Sequence, residues 1–112
     1  MTTNQTANQP RYRYTFKRHV PIDDIQDSLT LAVIGAENLY GRSKLRLDGW
    51  WRLNRQRRCC VIDATTEVGE SIARLFTGYL AKEFGESAFT VRRPAASQTH
   101  EATAQRDRAR AA

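Results

Sequence analysis

Between residues 11 and 18 the chain alternates: Tyr12, Tyr14 and Phe16 share one parity, and Arg11, Arg13, Thr15 and Lys17 the other. A period of two with aromatic residues on one side predicts a half-buried strand. Val20-Pro21 breaks it, and proline is well placed to open a helix. From Ile22 the apolar positions are Ile25, Leu29, Ala32, Val33, Ala36 and Leu39, a helical stripe that stops at Gly41. Asp23, Asp24 and Asp27 occupy its first turns, where the helix dipole favours anions.

Alternation then returns. Leu45, Leu47, Gly49, Trp51 and Leu53 share one parity; Lys44, Arg46, Asp48, Trp50 and Arg52 share the other. We read one long strand that kinks or bulges at Gly49 and turns near Asn54-Arg55-Gln56. Asp48-Gly49 is a competing hairpin signal. The segment RRCCVID over 57–63 reads as the partner strand. Thr65 or Thr66 caps a second helix whose stripe is Val68, Ile72, Leu75, Phe76, Tyr79, Leu80 and Phe84, stopped by Gly85. A short last strand over 87–93 places Phe89 and Val91 inward.

The predicted order is therefore β-α-β-β-α-β. Two helices that each bury a single stripe pack on the same side of one antiparallel four-stranded sheet. That is the ferredoxin-like two-layer α+β sandwich. Its domain spans residues 11–93. Residues 1–10 and 94–112 contain no large apolar residue beyond Met1. We expect a disordered tail at the first and a disordered or weakly helical one at the second.

Composition narrows the class. Of the 112 residues, 40% are hydrophobic and 27% charged, enough for a globular core. No apolar run approaches the ~20 residues of a membrane span. The opening MTTNQTANQP has neither a cationic start nor an apolar stretch, so we expect no secretory leader. Adjacent cysteines, Cys59 and Cys60, cannot staple distant parts of a chain, and they fit a reducing, cytoplasmic setting.

Charge changes the picture most. The formal net charge is +6, and it is sorted by element. The predicted strands carry Arg11, Arg13, Lys17, Lys44, Arg46, Arg52, Arg58 and Arg92, whereas the first helix carries Asp23, Asp24, Asp27 and Glu37 and no base. With helices covering one sheet face, these parities place a basic surface on the open one. The bases are 15 Arg and 3 Lys. Arginine presents a planar fork to phosphate and stacks on rings. Trp50 shares the parity of Arg46 and Arg52. Basic side chains beside an aromatic platform are how single-stranded nucleic acid is held without much sequence preference.

The expected function is thus a small non-enzymatic module that binds nucleic acid, single strands favoured, or another polyanion. Its contacts would be Arg11, Arg13, Lys17, Lys44, Arg46, Trp50, Arg52, Arg58 and Arg92. The alternative is a protein–protein adaptor or self-associating subunit, docking through basic and acidic faces or through exposed sheet edges. Thr65 and Thr66, at a helix N-terminus, form a candidate anion site, although no glycine-rich phosphate loop accompanies them and helix capping explains them better. No cofactor or metal is expected, because no second Cys or His pair stands at zinc spacing and His19 and His100 are isolated. Neighbours on a strand face opposite ways, so Cys59 and Cys60 read as one core and one semi-exposed thiol.

Overall fold

A computed structural model describes residues 11–93. Its elements are β1 (Arg11–Phe16), α1 (Ile22–Tyr40), α2 (Arg42–Asp48), β2 (Trp51–Asn54), β3 (Cys59–Asp63), α3 (Glu67–Phe84), a single 3-10 turn (Glu86–Ala88) and β4 (Phe89–Arg92). The four strands form one sheet in the order β2-β3-β1-β4, every neighbouring pair antiparallel. This is a mixed α+β fold with three helices on an open sheet. The order β-α-α-β-β-α-β departs from the predicted β-α-β-β-α-β by one helix. No helix among the described residues is long and apolar enough to cross a membrane. The two tail expectations fall on residues 1–10 and 94–112, outside the described residues.

The extra helix corrects the predicted strand over 44–53. Leu45 is buried, but Leu47, expected beside it on the inner face, is 85% exposed. In RSKLRLD there is no β-branched or aromatic residue, and Arg, Lys and Leu are good helix formers. Gly41, at φ 91°, takes a backbone conformation that side chains rarely adopt. It ends α1 by donating its N–H to the Glu37 carbonyl (2.7 Å) and starts α2 by accepting from Leu45 N (3.1 Å). Gly49 then closes α2 with a bond to the Leu45 carbonyl rather than forming a bulge. From Trp50 onward the predicted parity holds.

One core joins the layers. Tyr14 and Phe16 of β1, Cys60 and Ile62 of β3 and Phe89 of β4 meet Ile25, Leu29, Ala32 and Ala36 of α1 and Val68, Ile72, Phe76 and Leu80 of α3. The Tyr14 and Phe76 rings meet edge to face at 5.0 Å between centroids. Tyr14 carries its hydroxyl into this core and shares a hydrogen bond with the Thr77 hydroxyl (2.7 Å). α3 begins hard against the end of β3: a Cβ on Gly69 would lie 1.8 Å from the Asp63 carbonyl oxygen, so only glycine fits. Val91 keeps its inward parity but is 40% exposed on the short edge strand.

Candidate nucleic-acid interface

Directly paired residues of an antiparallel ladder share a face. The register therefore determines what the open side of the sheet displays. Arg52 pairs with Val61, Val61 with Arg13, and Arg13 with Arg92. One row thus crosses all four strands with arginine at three of its four positions. With strands ~4.8 Å apart, Arg52 and Arg92 are separated by ~14 Å at the backbone. Arg13, Arg52 and Arg92 are all exposed. Arg13 and Arg92, directly opposite, repel each other, a local cost of a few tenths of a kcal/mol.

The adjoining rows are polar and aromatic. On one side Asn54, Cys59, Thr15 and Thr90 stand in register. Arg13 reaches diagonally into this row, its guanidinium 3.9 Å from the Cys59 sulfur. On the other side Arg11 pairs with Asp63, and the Asp63 N–H donates to the Trp50 carbonyl (3.0 Å), which extends the β2–β3 ladder by one residue. Above that row the Arg11 guanidinium lies 4.6 Å from the centroid of the Trp50 ring. Trp50 is 40% exposed, so an aromatic surface borders the arginine row as its parity predicted. Lys17, exposed, continues the outward parity just past β1.

Three of the predicted site residues stand elsewhere. Lys44 and Arg46 are on α2, not on the sheet: the Lys44 ammonium lies 5.7 Å from the Tyr40 ring centroid and 4.0 Å from a Glu67 carboxylate oxygen. Arg46 is exposed on the same helix. Glu67 and Tyr40 belong to the two long helices, so Lys44 serves the helical side of the molecule. Arg58, at φ 55° in the β2–β3 turn, is half-buried and donates to the carbonyls of Lys17 (2.7 Å) and Val20. It ties that turn to the β1–α1 connection, a structural role. Arg55 of the same turn pairs with Asp23 of α1 (2.5 Å).

At the N-terminus of α3 the protein supplies its own anion. The Asp63 carboxylate accepts from the Thr65 N–H (2.9 Å) and the Thr65 hydroxyl (2.8 Å). The Thr66 hydroxyl accepts from Gly69 N (3.0 Å) and donates to the Asp48 carbonyl (2.9 Å). Thr65 and Thr66 are thus engaged in capping and in holding α2 to α3.

Cys60 is fully buried, and burial, with Cys59 beside it, pushes its thiol up to about 12. Burial likewise raises Tyr14 to about 12 against the opposing Thr77 hydrogen bond. Both stay protonated and therefore weakly nucleophilic at neutral pH. Cys59 faces the other side of the sheet yet is buried too, beneath Arg13, rather than semi-exposed. Among the described residues no three His, Cys, Asp or Glu side chains gather as a metal site. The arrangement as it stands is suited to holding an extended anion by several exposed guanidinium groups.

Sequence reasoning missed the partners of this row. That Asp63 is the acid on the open face, and that Arg11 stacks on Trp50, both depend on strand order and register, which no local pattern in the chain encodes. Compared with protein-family models, with curated proteins and with solved structures, the chain matches none of them.

Proposed function

We propose that the protein binds single-stranded nucleic acid on its open sheet face, through Arg13, Arg52 and Arg92 as the phosphate-contacting row and Arg11, Lys17 and Trp50 beside it. The observation that carries this reading is the cross-strand alignment Arg52–Val61–Arg13–Arg92 on an exposed surface. An anionic backbone laid across the strands would relieve the repulsion of Arg13 and Arg92 and release its own counterions. Trp50 at the border supplies a stacking surface that any base can use. An open sheet face with one line of charge matches a flexible single strand better than a rigid duplex. We further read the strand order, with crossovers through α1 and α3, as the ferredoxin-like arrangement with α2 added before β2. Because unrelated activities share that arrangement, the site and not the fold carries the proposal.

The test is an anisotropy titration of the purified chain with a short labelled single strand and the matching duplex, following Trp emission in parallel. The reading expects the single strand to bind more tightly and to quench Trp emission. Equal absence of binding at low salt would overturn it.

A further inference from the structure

The sheet has two edges, and they differ. β4 is followed directly by Arg93, an exposed charge that disfavours further pairing at that edge. β2 reads Trp-Arg-Leu-Asn, with no proline and no lysine, and its one charge, Arg52, points to the open face. The Asp63 N–H to Trp50 carbonyl bond fixes which β2 residues turn their backbone groups inward to β3. In an antiparallel ladder hydrogen-bonded pairs alternate, so Arg52 and Asn54 bond to β3 as Trp50 does. The N–H and C=O of Trp51 and Leu53 therefore point away from the sheet, along its free edge.

A groove of about 510 Å³ runs beside that edge, lined by Leu29, Val33 and Ile34 of α1 and by Trp51 and Leu53 of β2. Ile34 is 45% exposed within it. Arg55 stands at its end, held by Asp23 and Gln26.

We propose that the β2 edge pairs with the β2 edge of a second copy of this chain, antiparallel about a twofold axis through Leu53, to make a continuous eight-stranded sheet. Parity leaves few registers. A slip that put Arg52 opposite the second copy's Leu53 would set an outward residue against an inward one. Centring on Arg52 would place two guanidinium stems opposite each other in a non-hydrogen-bonded pair, where side chains come closest. Centring on Leu53 avoids both. Each Leu53 donates its N–H to the other's carbonyl, and Arg52 faces the second copy's Asn54. On the inner side the two Leu53 side chains meet, and the two apolar grooves join across the axis and cover Ile34. The edge is complementary to itself in parity and in hydrogen-bonding direction, and centring on Leu53 keeps its one charge apart from its copy, which is why the occupant is a second copy. This pairing needs no nucleic acid and stands or falls separately from the binding proposed above.

The experiment is sedimentation of the nucleic-acid-free full chain over a range of concentrations, with cysteine trapping to read the register. The expected result is a concentration-dependent dimer, and L53P should raise its dissociation constant about tenfold or more, since it removes both bonds at the axis. The Leu53 N–H makes no bond within the sheet, so L53P should keep the far-ultraviolet circular dichroism of the native chain. If L53P does not fold, trapping decides alone. Hydrogen-bonded antiparallel pairs have Cα atoms ~5.5 Å apart, within disulfide reach. Under mild oxidation L53C should cross-link to itself and R52C should not, with the native chain as background for Cys59 and Cys60. A monomer at every concentration, cross-linking of R52C in preference to L53C, or equal cross-linking of both would overturn the proposal.

Discussion

The guanidinium of Arg11 lies over the ring of Trp50, 4.6 Å from its centroid, although the two residues are 39 positions apart (50 − 11). The contact bridges β1 and the start of β2 across β3, whose Asp63 lies between them. It gives the sheet's border an aromatic plane that is already packed on one face by a cation. If a base stacks on the other face, W50A should cost about 1–3 kcal/mol of single-strand affinity, the range for one base on one aromatic side chain. W50F should retain most of it. Titrations of both variants check this, and emission quenching retained in W50F would assign the signal to Trp51 instead.

Two buried protonated groups predict the response to alkali. Cys60 rises from 9.0 to about 12 and Tyr14 from 10.0 to about 12 on folding. A group whose folded value is raised stays protonated in the native state while the unfolded chain loses the proton. The unfolded state then binds fewer protons, and stability falls as pH rises. The loss should begin near pH 9 through Cys60, steepen above pH 10 as Tyr14 joins it, and level off near pH 12. Each group contributes a slope of at most ~1.4 kcal/mol per pH unit. Urea melts at successive pH values should show this decline, and C60A should flatten its onset between pH 9 and 10.

Two glycines of α3 should respond oppositely to alanine. At Gly69 the new Cβ would meet the Asp63 carbonyl oxygen at 1.8 Å, and α3 cannot retreat without breaking the Thr66 cap. G69A should cost about 2 kcal/mol or more. At Gly78 nothing lies within 4 Å of the new Cβ, which would project beside Tyr12, Thr77 and Val91 into a groove of about 740 Å³. G78A should stabilise by up to about 1 kcal/mol through helix propensity alone. Thermal melts of the two variants give the signs directly.

The strong periodicities were legible in the chain. The stripes ending at Gly41 and Gly85 foretell α1 and α3, and the parity of Tyr12, Tyr14 and Phe16 foretells which side of β1 is buried. Where reading failed, the cause was a pattern that two structures share. Leu45 and Leu47 alternate as in a strand, yet one buried leucine on one turn of helix satisfies α2 just as well, and Gly41 can both end and begin a helix. That error carried Lys44 and Arg46 onto a sheet face they do not occupy. Arg13, Arg52 and Arg92 were legible as outward residues from parity alone. Their alignment in one row was not, because strand order and register arise from tertiary packing of distant segments.

The central claim rests on that row, so its most direct test is the salt dependence of single-strand binding by the native chain and by the triple variant R13Q/R52Q/R92Q. Each phosphate neutralised contributes ~0.7 to the slope of log affinity against log salt for a single strand. The native chain should bind with a steep slope, and the triple variant should lose about 2 from it while keeping its melting transition. A folded triple variant with unchanged affinity and slope would contradict the account.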